Sequence, residues 1–128
     1  MNGNLMDTNV VVRILNGDTN LVQQLKQYNN LCSSSVVLGE LLYGAEKSAR
    51  SAENRTKAIA FCSRFKLFPV DNNVSDAYGT LKHNLLASGN VMPENDIWIA
   101  ASAMAHDLSV VTADKHFSYI SGITIENR

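Results

Sequence analysis

Asp7, Glu40, Asp96 and Asp114 are the residues of this chain whose type and surroundings can do chemistry. Each stands close to a place where an apolar, strand-like run and helical periodicity meet. In an open parallel sheet such places fall at the carboxyl ends of the strands, the edge at which ligands bind. Two carboxylates ~5 Å apart repel by ~3 kcal/mol at an effective dielectric of about 20, and each further acid adds to that. Acids gathered in this way need a cation. An all-oxygen donor set suits Mg²⁺ or Mn²⁺ better than zinc. Divalent ions held by carboxylates at a solvent-facing edge are one means of cleaving phosphodiesters.

Each acid taken alone also has a plain structural use. Asp7 is a good helix N-cap, although Thr8 and Asn9 can do that job equally well and leave it free to point outward. Glu40 near a helix start is favoured by the helix dipole, but its neighbours Leu38, Gly39, Leu41, Leu42, Gly44 and Ala45 are apolar or small. A carboxylate in such a stretch needs a partner. Gly39 and Gly44 weaken the helix, which points to something lying close to its backbone. Glu94 and Asp96 both suit the first turn of the helix after Pro93; Asp96 directly precedes Ile97, Trp98 and Ile99 and so belongs at the rim of the core. Asp114 can cap a short helix, and Thr112 can hydrogen-bond a carboxylate or a bound water. The joint pattern outweighs these separate readings. Asp18, Glu53, Asp76 and Asp107 fall in loops or late in helices, and Asp71 follows a strand expected at the far edge.

The elements that must position the acids alternate. Strands are expected at 5–7, 31–34, 67–70, 108–111 and 123–125, with Pro69 placing the third at a sheet edge. Helices are expected from Thr8 or Asn9 to the stop at Gly17, over 19–28, and from a cap at Ser35. A polar stretch at 46–54 is either a loop or a join between two helices. A helix carrying Ile59, Phe61, Cys62 and Phe65 follows it. Another runs from 71–73 to Gly89, and a buried one covers 97–105. Strands alternating with helices mean an α/β fold with right-handed crossovers.

One domain spanning 1–128 fits a chain of 128 residues, and a hydrophobic fraction of 45% allows a real core. No apolar run approaches the ~20 residues of a membrane span, and the first residues have no basic or long apolar stretch of the signal-peptide kind. Cys32 and Cys62 read as buried free thiols in a reducing, cytoplasmic compartment. His83, His106 and His116 have no zinc-ligand spacing. The net charge of −1 gives no sign of nucleic-acid binding, yet Lys47, Arg50, Arg55, Lys57, Arg64 and Lys66 cluster in one stretch.

The runs L-M-D-T-N-V at 5–10, S-S-V-V-L-G-E-L-L-Y-G-A at 34–45, P-E-N-D-I-W-I-A-A at 93–101 and V-V-T-A-D-K-H-F at 110–117 together resemble the PIN-domain nucleases, and among them the VapC-type toxins of toxin–antitoxin pairs. F-P-V-D at 68–71 fits the linking strand. The resemblance implies an α/β/α sandwich with a five-stranded parallel sheet in the order 3-2-1-4-5. It implies that Asp7, Glu40, Asp96 and Asp114 line a pocket for Mg²⁺ or Mn²⁺, with Asp7 and Asp96 as direct ligands and the other two direct or through water. Thr8 and Asn9 would orient Asp7. The family commonly has Asn where this chain has Ala113.

The activity so implied is a metal-dependent endoribonuclease acting on structured RNA such as a tRNA anticodon loop. Metal-activated water would leave 5′-phosphate and 3′-hydroxyl ends. Arg13, Lys47, Arg50 and Arg55 are candidates for holding the RNA backbone. A small antitoxin partner and a homodimer are implied as well. Val10, Val11, Leu41, Leu42 and Tyr43 serve core packing first, and are also candidates for a groove that takes a partner helix, which could set a basic side chain among the acids. Two other readings are a non-catalytic module with an acidic cation site, such as a receiver-type signalling domain, and a DNA nuclease of the same fold. A receiver needs an acidic pair beside its first helix and a separate phosphoryl-accepting Asp; here only Asp7 precedes Thr8 and serines follow the second strand.

Overall fold

A computed structural model describes residues 2–128. The chain runs β1 (Gly3–Met6), α1 (Thr8–Leu15), α2 (Thr19–Leu25), β2 (Leu31–Ser34), α3 (Ser35–Glu46), α4 (Ser51–Cys62), β3 (Lys66–Phe68), α5 (Asn72–Ala87), α6 (Glu94–Ala105), β4 (Leu108–Thr112), a short 3-10 helix (Lys115–Tyr119) and β5 (Ile125–Asn127). The strands form one parallel sheet in the order β3-β2-β1-β4-β5, as the resemblance implied.

The two central strands are the most apolar, because both faces of each are covered by helices. All five residues of β4 are buried, and Leu5 and Met6 of β1 have no exposed surface. Chain direction across the sheet reverses at the β1–β4 pair. That pair is the topological switch point, where right-handed crossovers on the two faces leave a crevice at the carboxyl edge. Register sets what lines the crevice. Met6 pairs with Val111, so Asp7 and Thr112 emerge side by side. The Asp7 amide donates to the Val111 carbonyl at 3.0 Å, extending the ladder by one bond.

Local chemistry sets most element ends. Gly17 and Gly89 have φ of +91° and +77° and follow α1 and α5 as expected. Gly3 admits no side chain, since a Cβ there would lie 2.8 Å from the Asn30 carbonyl oxygen. Cys32 and Cys62 are buried free thiols, both pushed up by burial. β3 is an edge strand, with Pro69 just beyond it.

Several boundaries move from their expected places. β1 covers 3–6 rather than 5–7, because pairing with β4 begins at Gly3 and Leu108. α2 stops at Leu25, not Tyr28. α3 is capped by Ser34, whose hydroxyl accepts from the Val37 amide at 3.2 Å, rather than by Ser35. The polar stretch at 46–54 is a join between helices. β3 lies at 66–68 and β5 at 125–127, where they find β2 and β4. Val10 and Val11, offered as partner-groove residues, belong to the buried core; Leu41 is buried yet lines a groove between α1, α3 and α4, and Tyr43 is 67% exposed.

Candidate metal centre

The four acids reach the crevice by different routes. Asp7 is 3% exposed and sits at the N-cap of α1. It does two jobs at once. Oδ1 accepts from the Thr8 amide at 2.8 Å, and Oδ2 accepts from the Thr112 hydroxyl at 2.8 Å. The cap is therefore Asp7 itself, not Thr8 or Asn9. Asn9 is exposed and makes no side-chain hydrogen bond among the described residues, so it does not orient Asp7. Thr8 is turned elsewhere. Its hydroxyl donates to Glu40 Oε1 at 2.7 Å.

Glu40 lies in the second turn of α3, half-buried, and its other oxygen accepts from the Asn95 side chain at 3.3 Å. Asp114 caps the 3-10 helix by accepting from the His116 amide at 2.9 Å. Its own amide donates to the Thr112 hydroxyl at 2.9 Å. Thr112 thus links Asp7 and Asp114 through one oxygen. Thr112→Val keeps the buried volume and removes both bonds. Cleavage by this variant is expected to fall about 10- to 100-fold, as for other supports of a metal-site ligand, with the far-ultraviolet circular dichroism unchanged.

Asp96 is the most perturbed of the acids. Its half-buried carboxylate has no hydrogen-bond donor among the described residues. Burial first, and then the charges of Asp7, Asp114 and Glu40, push its pKa up to about 7. Burial raises Asp7 as well, against the hydrogen bonds from Thr112 and Thr8. Both shifts include repulsion among acids that are distant in the chain. Glu94, the other acid of the same helical turn, faces away, pairing with Lys82 and accepting from the Tyr78 hydroxyl.

Two residues of the site were not singled out from sequence. Asn95 holds Glu40; its signal was its place between Glu94 and Asp96. His116 brings Nδ1 to 3.0 Å from Asp114 Oδ1, and one ligand atom each from Asp96, Asp114 and His116 lie within 4.8 Å of one another. Position two after Asp114 was the available clue. An unpartnered, desolvated carboxylate among three others is the donor chemistry of a divalent cation, so these residues fit such an ion.

The basic candidates separate. Arg13 is tied to Asp18 and to the Arg128 carbonyl, anchoring the C-terminal end of the chain. Arg50 pairs with Glu53 at 3.6 Å and Arg55 with Glu46 at 3.1 Å, both as solvent-exposed pairs of the weak kind. Lys47 has no carboxylate within ion-pair distance among the described residues and lies beside Glu40 in a shared groove.

A parallel sheet with acids at its switch point defines a class, and comparison with known proteins agrees. The family model described as PIN domain matches residues 5–123, and the chain belongs to the PIN-domain family. Ribonuclease VapC2 of Rickettsia felis is 32% identical over 128 residues, covering 96% of each chain. The tRNA(fMet)-specific endonuclease VapC of Salmonella typhimurium is 30% identical over 126 residues, again 96% of each. The solved structure of DNA-bound VapBC from Salmonella typhimurium matches with a TM-score of 0.89 at 31% identity, covering 99% of this chain and 98% of that one. VapBC2 from Rickettsia felis, bound to a promoter DNA fragment, matches at 0.87 and 31%, covering 98% of both. Within the PIN family, then, this chain belongs with the VapC toxins of VapBC toxin–antitoxin systems.

Proposed function

We propose that the protein is a Mg²⁺- or Mn²⁺-dependent endoribonuclease, the toxin of a toxin–antitoxin pair, cutting an unpaired loop of a structured RNA. The observation that carries the reading is the convergence of Asp96, Asp114 and His116, whose ligand atoms lie within 4.8 Å of one another, at a place where burial and the charges of Asp7, Asp114 and Glu40 push the Asp96 pKa up to about 7. Asp96, Asp114 and His116 would hold the ion together with Asp7 and Glu40, whose charges act on Asp96. The ion, when bound, supplies an activated water and neutralises charge on the phosphate under attack. The chain's own part is positioning. Thr112 and the Thr8 amide fix Asp7; the Thr8 hydroxyl and Asn95 fix Glu40. Asp7, Glu40 and Asp114 are each held by hydrogen bonds before substrate arrives, which leaves less reorganisation for the reaction step, while Asp96 is left for the ion to engage.

A tRNA anticodon loop is a reasonable target, since a relative of similar length is named for tRNA(fMet). An antitoxin is the expected partner, because the solved neighbours are VapBC assemblies. Its docking surface is a groove lined by Val12, Leu15, Leu41, Ala45 and Ala58, where α1, α3 and α4 meet. The reading also includes a homodimer working in the cytoplasm.

The test is digestion of an RNA hairpin and of a DNA hairpin of the same sequence, with Mg²⁺, with Mn²⁺ and with EDTA. Cleavage of the RNA loop only with metal, leaving 5′-phosphate and 3′-hydroxyl ends, is expected. Undiminished cleavage in EDTA, or 2′,3′-cyclic phosphate ends, would sink the proposal; preferential cutting of DNA would turn it into a DNA nuclease.

A further inference from the structure

Beside the acids, and sharing Thr8, Glu40 and Asn95 with them, lies an open groove of about 660 Å³. That is the size range of small-ligand sites. Its other walls are aromatic, aliphatic, small and basic: Tyr43, Trp98, Val36, Val70, Gly39, Gly44 and Lys47. We infer that this groove is a stacking subsite for one unpaired base of the RNA, flanking the phosphate to be cut. The inference rests on the ribonuclease reading above and adds a substrate-positioning site to it.

Four observations support it. Tyr43 is 67% exposed on a helix whose Val37 and Leu41 are buried and whose Val36, Leu38 and Leu42 are partly so. Trp98 is preset: one face of its indole stacks on Tyr78 at 3.8 Å between centroids and 7° between planes. Tyr78 is held in turn, donating its hydroxyl to Glu94 and accepting from Lys82. Rigid aromatic surfaces next to a cation are the usual means of holding unpaired bases, because every base has a π-face. Lys47 is the cation. Its ammonium lies 4.9 Å from the Tyr43 ring centroid, with no carboxylate in ion-pair reach among the described residues. The rest of the basic stretch is engaged elsewhere: Arg50, Arg55 and Lys57 with glutamates, Arg64 and Lys66 at a cavity on the opposite edge of the sheet.

The glycines complete the case. A Cβ at Gly39 or Gly44 would meet nothing within 4 Å among the described residues. Among the described residues no other part of the chain crowds the Cβ positions of these glycines, contrary to the expectation from sequence. Alanine would stabilise the helix at both places. The helix keeps glycine where a side chain would enter the groove.

Trp98 is the one tryptophan of the sequence, so its emission reports on the groove alone. The Asp7→Asn chain, in which cleavage is disabled, is titrated with an RNA hairpin in buffer containing Mg²⁺ and followed by fluorescence. A parallel titration uses the same hairpin with abasic nucleotides in the loop. The intact loop is expected to quench Trp98 saturably; the abasic one leaves emission unchanged and binds about 5- to 150-fold more weakly. In cleavage assays with the otherwise native chain, Tyr43→Ser and Gly39→Leu are expected to raise KM about 5-fold or more with kcat little changed. Gly39→Leu is a better helix former than the native residue, and an unchanged melting curve shows that a raised KM is not loss of folding.

Unchanged Trp98 emission at RNA concentrations that saturate a gel shift, with the native chain still cutting, overturns the subsite and leaves the nuclease reading intact. An emission change with protein concentration alone shows a second copy in the groove and also overturns it. If the native chain cuts no RNA while the intact loop still quenches and the abasic one does not, the subsite stands and the nuclease reading falls instead.

Discussion

Asp7→Asn and Asp96→Asn are each expected to lower RNA cleavage by about 10³-fold or more, and Asp96→Asn to make the metal-free protein more stable at pH 8. The loss of activity follows from the chemistry. An amide oxygen is a poor ligand for a hard divalent ion, and removing one preorganised electrostatic contact from a reaction site costs about 10²–10³-fold even where no metal is involved. The gain in stability follows from the repulsion. At pH 8 the native state must carry an ionised Asp96 that burial and three other acids hold up to about 7, against an ordinary 3.8. Each unit of such a shift corresponds to about 1.4 kcal/mol, so the neutral amide is expected to recover roughly 1–4 kcal/mol.

Asp7→Asn should gain less. Both oxygens of Asp7 accept hydrogen bonds, and the amide keeps one acceptor while turning a donor toward Thr112. Asp76→Asn, on the exposed face of α5, serves as the control and should change neither property. Melting curves without metal and single-turnover cleavage with it provide the two readouts. An Asp96→Asn protein that still cuts at a tenth of the native rate, or that melts lower than native at pH 8, contradicts the four-carboxylate site.

The second large effect is a coupling between pH and metal. Asp96 has a folded-state pKa above its unfolded one, so the native state retains a proton that the unfolded chain has lost between about pH 4 and pH 7. This contribution to stability is fully present below the unfolded value and disappears as pH rises through 7. Asp7 is shifted in the same direction. The metal-free protein should therefore melt at a higher temperature at pH 5 than at pH 8. Asp18 and Glu94, both lowered by hydrogen-bonding partners, act with the opposite sign, but below their ordinary values and outside this window.

Metal reverses the slope. Binding requires the ionised carboxylates, so apparent affinity for Mg²⁺ or Mn²⁺ should rise about tenfold per pH unit below 7 for each proton displaced, then level off. Saturating metal should raise the melting temperature more at pH 8 than at pH 5. Calorimetric titrations and melting curves at the two pH values check this. A flat metal-free profile, or one whose slope survives in Asp96→Asn, removes Asp96 as the responsible group.

Much of the architecture was legible in one dimension. Apolar runs of strand length, glycine stops and capping residues are local signals, and they placed α1 to α6 to within a few residues. Gly17 and Gly89 ended helices where expected because a positive φ costs glycine little. Strand ends were less legible. A strand ends where its neighbour stops offering partners, and at β1, β3 and β5 that is a property of the pairing, not of the strand. The basic residues show the same limit. Arg13, Arg50 and Arg55 look like RNA ligands in a string of letters, and only folded coordinates reveal the acids and the carbonyl that engage them.

From its sequence alone this protein is an alternating α/β chain with four acids near its strand–helix junctions, because helical and strand periodicities and turn chemistry are short-range. The family resemblance in its motifs added the sheet order. Tertiary structure alone decided how the acids divide their work. Register between β1 and β4 set Thr112 against Asp7, and the turn after β4 brought His116 beside Asp114. Thr8 serves Glu40, not Asp7, through its hydroxyl. Desolvation and charge repulsion depend on distances between residues as far apart as Asp7 and Asp96, and such distances are not encoded in any local window of the chain.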